Sequence, residues 1–261
     1  MPNARQAKSA REKAAELRAE AERKAARNRV LIIGSIVIVV VLVVVGVTVL
    51  FRTLQQQQDD KVAAQSAPPA NLYTPTDQKK NVPGILIGQP TAKVTVDMYE
   101  DFQCPVCKQF ESTDGALLKQ YADAGKVKLI YHPVAILDRA SSTEYSSRSG
   151  SAAAAVLAIA PKSWPAYHTA LFDNQPPENG DGLPDATLIQ LATSAGVPEA
   201  QISPAITGQK YRGWITKVTD QFTKDFAPGA TPTVVINGTQ LKDIGLDKLK
   251  AALDQAVTAA K

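Results

Sequence analysis

The apolar positions of this chain follow two different patterns. The first is Val30–Phe51, a run of 22 residues without a charge, most of them Val, Ile or Leu. At about 1.5 Å per residue, a helix over this run spans a hydrocarbon core of roughly 30 Å. A cleaved signal peptide usually has an apolar region of only about 7–15 residues. The run therefore predicts one uncleaved N-terminal transmembrane helix, a signal anchor over residues 30–51.

The second pattern begins after a polar stretch. Residues 52–80 are rich in Gln and Pro and show no sustained period, which is typical of a flexible linker. From about residue 81, apolar residues recur in short periodic segments. We therefore expect a globular domain over residues 81–261.

Four segments of this domain have the composition of strands: Ile85–Ile87, Lys93–Tyr99, Lys126–Val134 and Thr231–Gly238. The first two are predicted to pair with each other across a Gly-Gln-Pro turn. The last ends in Asn-Gly, which predicts a hairpin into Thr239–Leu241.

Helical patterns account for most of the remaining domain. Residues 141–226 are Ala-rich and mostly helical in pattern, and four aromatic residues in this block are predicted to lie in the core: Trp164, Phe172, Trp214 and Phe222. The last helix, Leu246–Ala260, places Leu246, Leu249, Leu253 and Val257 on one face. Strand, helix, strand, helical block, hairpin and helix together predict an α/β sandwich with a mixed sheet.

Charge adds a topology to this picture. Residues 1–29 carry nine Lys or Arg against four Glu, a net charge of +5, whereas the whole chain has +4, so the remainder is close to −1. A domain without a basic surplus does not indicate nucleic-acid binding. Only Arg52 directly follows the apolar run, so the positive-inside rule predicts a cytoplasmic tail 1–29 and an extracytoplasmic domain.

The candidate chemistry is carried by Cys104 and Cys107, the only two cysteines, in the stretch YEDFQCPVCKQF. A disulfide across so short a loop gains little from restricting the unfolded chain, so a redox role is favoured over a structural one. The pair lies between a predicted strand and a predicted helix, with Pro105 in the first turn. The helix N-terminus favours a thiolate at Cys104. We expect Cys104 to be exposed and Cys107 to be shielded.

Two alternatives compete with a redox pair. A C-x-x-C motif is also half of a zinc site, which His132 and His168 could complete. Neither histidine belongs to a paired ligand motif, so each is predicted to be a packed, hydrogen-bonded side chain. The other alternative is an inert pair in a non-catalytic interaction domain.

Three segments, EDFQCPVC, WPAYHTALF at 164–172 and GATPTVVING at 229–238, carry a resemblance to a known family. The chain resembles the thioredoxin superfamily, and residues 141–226 look like the helical insertion of its DsbA-like branch. The resemblance covers about residues 85–260 and implies a thioredoxin-like fold. It also implies that Pro232 follows a cis bond against the disulfide, and that the backbone of Thr231 pairs with a bound substrate.

The sequence departs from the family at two positions. Many relatives have an acidic residue six positions before the first cysteine, where it helps to move the proton of the second thiol; here that position is Met98. Glu100 and Asp101 lie closer to Cys104 and are candidates to replace that acidic residue, with Glu100 preferred. The alternative for Asp101 is an exposed acid at the helix start. Val106 stands where well-known oxidases have His, so their oxidising power is not implied.

Together with the predicted anchor, the resemblance implies a membrane-anchored protein disulfide oxidoreductase that needs no cofactor. We expect an oxidase that passes its disulfide to secreted proteins as they fold. Its partners would be the thiols of secreted proteins and a membrane reoxidase that uses quinone, either DsbB-like or related to vitamin K epoxide reductase. A reductase or isomerase, for example in cytochrome c maturation, differs only in redox potential and partner. A metal-binding module that holds copper or zinc with Cys104 and Cys107 is the alternative from another class.

Overall fold

A computed structural model defines residues 42–50, 52–53, 67–75 and 82–260 of the chain. Residues 42–50 form helix α1, whose Leu and Val side chains are exposed. The basic tail and most of the predicted anchor lie outside the described residues. Among the residues that are described, no helix combines the length and apolarity needed to cross a bilayer. The anchor therefore stays a prediction.

The domain is built on one mixed five-stranded sheet. Its strands are β1 (Ile85–Gly88), β2 (Val94–Glu100), β3 (Val127–Pro133), β4 (Thr233–Ile236) and β5 (Thr239–Gln240). They lie in the order β1-β3-β2-β4-β5, in which β2 and β3 are parallel and the other neighbours are antiparallel. Every residue of β2 and β3 is buried, as is usual for parallel strands that are covered on both faces.

The predicted pairing of the first two strands is wrong. β1 pairs with β3, so that Ile85 lies opposite Tyr131, and β3 separates β1 from β2. The reason lies in the burial of β3, because a strand buried along its whole length needs hydrogen-bonding partners on both edges. β1 supplies one of these partners and β2 the other. The turn between β1 and β2 therefore carries the chain past β3 rather than into a hairpin.

The predicted Asn-Gly hairpin joins β4 to β5. Asn237 and Gly238 both have positive φ, at 47° and 79°, which is the backbone that a tight two-residue hairpin requires. The Asn237 side chain also accepts a hydrogen bond from the backbone N–H of Thr95 at 2.9 Å. This turn therefore closes the hairpin and fastens it to β2.

The helices fall into three groups. The first consists of α2 (Pro105–Phe110), a π-helical turn (Glu111–Gly115) and α3 (Ala116–Asp123); the second of α4 (Tyr145–Ile159), α5 (Trp164–Asp173), α6 (Asp185–Ser194), α7 (Glu199–Thr207) and α8 (Arg212–Asp225); the third of α9 (Leu246–Ala259). The second group is the helical block that the sequence predicts between β3 and β4. The four aromatic residues predicted for its core are all buried.

His132 is a structural residue of the sheet, as predicted. Its Nε2 lies 3.0 Å from the Asp97 carboxylate, and its ring stacks on Tyr99 with the centroids 4.5 Å apart. Both partners come from β2, the strand beside it. The histidine therefore joins two buried strands through a polar contact inside the core.

Helix α9 docks through two of the four residues predicted for its apolar face. Leu249 and Leu253 are fully buried, whereas Leu246 is 48% exposed and lies in the first turn of the helix. The periodicity places all four residues on one face of α9, but the first turn of the helix extends beyond the part of the domain against which the helix packs. The prediction that Leu246 packs with the other residues of this face is therefore wrong.

We expect Leu249→Ala to lower the free energy of unfolding by about 2–5 kcal/mol, because the deleted side chain leaves a cavity in a fully packed site. The matched control in the same helix is Leu246→Ala, for which we expect a loss of less than about 1 kcal/mol. Urea unfolding followed by circular dichroism measures both. Equal losses would show that α9 does not pack as described.

Candidate active site

The two cysteines lie at the junction between β2 and α2. Cys104 is the N-cap residue of α2, with an extended backbone (φ −76°, ψ 116°), and Pro105 is in the first helical turn. The N–H of Cys104 donates to the Asp101 carbonyl at 2.9 Å, and the Cys104 carbonyl accepts from the N–H of Lys108 at 3.1 Å. The side chain at the N-cap therefore lies beside the unpaired N–H groups of the first turn.

Both cysteines are free thiols in the structure, and both side chains are buried. Cys104 retains 6% exposure and Cys107 none. The shielding of Cys107 agrees with the prediction, but Cys104 is less exposed than predicted. The loop before β4 covers Cys104, and the Thr231 carbonyl in this loop accepts a hydrogen bond from the Cys104 thiol at 3.3 Å.

The surroundings of Cys104 favour its thiolate. A hydrogen bond from the Cys107 thiol is the largest of several effects that lower the pKa of Cys104 from 9.0 to about 6. Burial opposes the shift, while the backbone N–H groups of Cys107 and Val106 support it. Hydrogen-bond donors to the charged form outweigh its desolvation. At neutral pH, Cys104 is therefore mostly ionised.

Cys107 has the opposite character. Burial is the largest of the effects that raise its pKa well above the ordinary value, followed by its hydrogen bond to Cys104 and the negative charges of Cys104 and Glu100. The site thus combines one thiol whose pKa is lowered to about 6 with a second thiol that holds its proton.

Asp101 is fully buried, which rules out the alternative of an exposed acid at the helix start. Its Oδ1 accepts hydrogen bonds from the Gln103 N–H at 2.9 Å and the Ser146 hydroxyl at 2.6 Å, and its Oδ2 accepts one from the Leu137 N–H at 3.0 Å. Burial raises the pKa of Asp101 to about 7 although these donors lower it. The carboxylate therefore joins the cysteine turn to two distant segments.

Glu100 is also fully buried and lies next to Asp101 at the end of β2. Its Oε1 lies 2.7 Å from His168 Nε2 on α5. Its Oε2 is buried without a hydrogen-bond partner among the described residues. Burial lowers the pKa of His168, but the Glu100 carboxylate outweighs burial and the net pKa is raised. His168 is packed as predicted, although the sequence did not indicate its carboxylate partner.

A third ionisable side chain, Glu111, completes this group. Ligand atoms of Glu100, Glu111 and His168 all lie within 4.8 Å of one another. Burial and the nearby Glu100 carboxylate raise the pKa of Glu111 to about 7. We refer to these three residues as the Glu-His-Glu cluster.

The loop that covers Cys104 also lines a hollow. The Thr231–Pro232 peptide bond is cis, as the resemblance implies. A cavity of about 350 Å³ lies beside it, lined in part by Phe226, Pro228 and Leu241. The cis-proline and a hollow with a mixed polar and apolar lining thus belong to the loop that contacts the Cys104 sulfur.

The helical block contributes a residue that sequence reasoning missed. Gln175, in the loop after α5, donates from Nε2 to the carbonyl of Phe102 at 3.0 Å and to that of Cys104 at 2.9 Å. No periodicity or motif in this Pro- and Asn-rich loop singles out the glutamine. Its amide fixes the backbone of the cysteine turn from more than 70 residues away along the chain.

The zinc alternative required histidines next to the cysteines. His132 instead contacts Asp97 and His168 contacts Glu100. Within the described residues, the only group of three or more His, Cys, Asp or Glu side chains with metal-site spacing is the Glu-His-Glu cluster, which contains neither cysteine. The structure therefore does not assemble the predicted Cys₂His₂ set.

Comparisons with known proteins agree with this fold. A family model described as thioredoxin matches residues 80–255. The reduced disulfide bond oxidoreductase DsbG of Mycobacterium tuberculosis superposes with a TM-score of 0.56 and 33% identity, covering 77% of this chain and 96% of that one. Reduced DsbA of the same organism superposes with a TM-score of 0.54 and 35% identity, covering 68% of this chain and 95% of that one. BdbD of Bacillus subtilis, at 24% identity and a TM-score of 0.60, is similar in fold.

Sequence relatives extend the comparison. The serine/threonine-protein kinase PknE of M. tuberculosis is 30% identical over 145 residues, which make up 52% of this chain and 25% of the kinase. The chain thus matches only a quarter of that protein's length. Disulfide bond formation protein D of B. subtilis is 24% identical over 173 residues, or 65% of this chain and 75% of that protein.

The contribution of Cys107 to the ionisation of Cys104 can be isolated with two variants. Cys107→Ser keeps a hydroxyl donor, so the pKa of Cys104 is expected to stay near the value of about 6. Cys107→Ala removes the donor, and we expect a pKa at least about one unit higher than in the serine variant. Thiolate absorbance during a pH titration measures both. Equal pKa values would show that the helix N-terminus alone ionises Cys104.

Proposed function

Because the chain belongs to the thioredoxin family, in its branch of DsbA-like thiol–disulfide oxidoreductases, we propose that it introduces disulfide bonds into secreted proteins. The observation that carries this proposal is the division of roles between its two thiols. Cys104 has a pKa lowered to about 6, and the buried Cys107 one turn away has a pKa raised well above its ordinary value. A dithiol oxidase needs one thiol that leaves readily as a thiolate and a second thiol that closes the internal disulfide with it.

In the proposed reaction the oxidised protein holds a Cys104–Cys107 disulfide. A substrate thiolate attacks the Cys104 sulfur, a mixed disulfide forms, and Cys107 leaves as a thiolate that takes up a proton. The second substrate thiolate then attacks the substrate sulfur of the mixed disulfide, and Cys104 leaves as a thiolate. Two electrons pass from the substrate to the cysteine pair, and the substrate gains one disulfide.

The electrostatics of Cys104 support the oxidising direction. A leaving thiol with a lower pKa leaves faster, and stabilising the thiolate favours the reduced form over the disulfide. The Cys107 thiol is the main donor to the thiolate, and the side chain of Val106 adds no positive charge beside it. We therefore propose an oxidase that is weaker than relatives with a histidine in this position.

The remaining site residues have proposed roles in docking and proton transfer. Thr231 and Pro232 would present their backbone to an extended substrate segment, with the hollow beside them, whose lining is part polar and part apolar, taking one substrate side chain. Glu100 would exchange the proton of Cys107, because its charge acts on that thiol and its Oε2 has no hydrogen-bond partner among the described residues. It would take the place of the acid that Met98 replaces.

The proposed location and partners follow from the N-terminal sequence. Residues 30–51 would anchor the protein in the cell membrane, with the tail 1–29 in the cytoplasm and the catalytic domain outside. The exposed apolar side chains of α1 support this proposal. A membrane reoxidase linked to quinone, DsbB-like or related to vitamin K epoxide reductase, would regenerate the disulfide.

The reduction potential separates an oxidase from a reductase. We expect a value between the thioredoxin value of about −270 mV and the DsbA value of about −120 mV. Equilibration of the full-length protein with glutathione buffers, followed by alkylation of free thiols, measures it. The control is Cys104→Ser, which cannot form the internal disulfide. A potential below the thioredoxin value would support the reductase or isomerase alternative instead.

The proposed topology can be tested in intact spheroplasts that express the chain with an N-terminal tag. Because the basic residues precede the anchor, added protease is expected to remove the domain 81–261 and to spare the tagged tail. Lysed spheroplasts, in which both parts are digested, provide the control. Protection of the domain before lysis would contradict an extracytoplasmic oxidase.

A further inference from the structure

The proposed reaction requires proton exchange at a thiol that has no contact with solvent. Cys107 takes up a proton when the substrate attacks the disulfide, and it must lose one when the pair is reoxidised. Its side chain is fully buried. We propose that the Glu-His-Glu cluster carries protons between Cys107 and a cavity that Glu111 and His168 line. His168 and Glu111 act on Cys107 through Glu100, so they are positioning residues rather than catalytic ones. This inference rests on the proposed function.

The first step of the route is formed by Glu100. Glu100 ends β2, one residue before Asp101, whose carbonyl accepts the N–H of Cys104 at 2.9 Å at the start of the cysteine turn. The negative charge of Glu100 acts on the Cys107 thiol from this position. Of the two buried acids beside this thiol, Asp101 has both carboxylate oxygens occupied by donors. Glu100 has one oxygen bound to His168 and one without a hydrogen-bond partner among the described residues. A proton from Cys107 would therefore find its free acceptor on Glu100.

The second step leads from Glu100 to the cavity. The 2.7 Å contact between Glu100 Oε1 and His168 Nε2 is a short, charge-assisted hydrogen bond along which a proton can pass. His168 and Glu111 then line a cavity of about 250 Å³, together with Lys119 from α3 and Tyr131 from β3. A cavity of this size has room for several water molecules.

The π-helical turn explains how Glu111 reaches this position. Glu111 begins that turn and Gly115 ends it. A Cβ atom on Gly115 would lie only 2.5 Å from Glu111 Oε2, so the glycine leaves space for the carboxylate to fold back over the helix. Single π-helical turns occur often at functional sites. The local backbone thus accommodates a carboxylate that has a buried oxygen without a partner within the described part of the chain.

Other charged groups near the cluster are accounted for. Tyr131 has a pKa raised well above its ordinary value, by burial and by the Glu111 and Glu100 carboxylates, and stays neutral. Lys119, at the cavity wall, is paired with Asp123 at 2.6 Å. The cluster therefore contains two carboxylates and one imidazole, and protonation of the imidazole offsets one of the two negative charges.

The test measures the step in which Cys107 must lose its proton. A mixed disulfide between Cys104 and thionitrobenzoate is prepared in the full-length chain, in detergent micelles. Attack by Cys107 forms the Cys104–Cys107 bond, breaks the mixed disulfide and releases thionitrobenzoate as a coloured thiolate, while the Cys107 proton passes to the cluster. Stopped-flow absorbance gives the release rate as a function of pH.

Two variants are expected to shift this profile in opposite directions. His168→Gln retains an N–H donor for Glu100 but removes a positive charge, so the cluster holds its proton more tightly and the midpoint rises by about one pH unit or more. At neutral pH the release rate is expected to fall about tenfold or more. Glu111→Gln removes a negative charge, so the midpoint falls. Asp114→Asn, on the same π-helical turn but outside the cluster, should shift neither.

The outcomes separate this inference from the proposed function. If folded His168→Gln and folded Glu111→Gln both keep the pH midpoint of the unmodified chain, the proton route is overturned. This holds even if the reduction potential of the unmodified chain still identifies an oxidase. Where His168→Gln fails to fold, the downward shift in Glu111→Gln decides alone. Stoichiometric binding of Zn²⁺ by the unmodified chain, lost in Glu111→Gln, would also overturn the route, since the cluster would then be a cation site.

Discussion

The organisation of this domain depends on one buried carboxylate. Asp101 has lost its contact with water and accepts three hydrogen bonds instead, from Gln103, Ser146 and Leu137. These donors belong to the cysteine turn, to α4 and to the segment after β3. Burying a carboxylate costs free energy unless hydrogen bonds compensate for the lost water, so the position of Asp101 favours a fold in which all three segments are in place together. The geometry at Cys104 is therefore a property of the whole domain rather than of a local turn.

The same environment links ionisation to stability. The pKa of Cys104 is lowered from 9.0 to about 6 in the folded reduced protein. A lowered pKa contributes stability that is fully present above the unfolded value and is lost as pH falls through the folded value. The reduced form therefore gains this contribution between about pH 6 and pH 9, whereas the disulfide has no thiol to ionise. Burial of Cys107 supports this division, because its retained proton supplies the donor that Cys104 needs.

The sequence predicts the parts of this structure that local pattern determines. The strand-to-helix position of the cysteines, the Asn-Gly hairpin and the helical block follow from periodicity and turn residues. The pairing of β1 does not, because the choice between β2 and β3 depends on which strand needs a second partner. The contact between Glu100 and His168 joins residues 68 positions apart, and neither residue carries a local signal of its partner. Asp101 looks like an ordinary helix-start acid until the segments that cover it are known.

Gln175 determines how much of the chain must accompany the cysteine motif if it is moved to another scaffold. Its amide binds the carbonyls of Phe102 and Cys104, and it belongs to the helical block rather than to the sheet. A minimal graft of the sheet, the motif and α2 would leave the Phe102 carbonyl without this donor and the Cys104 carbonyl with only the N–H of Lys108. The smallest transplantable module for this thiol chemistry therefore includes the loop after α5 and the helices that hold it.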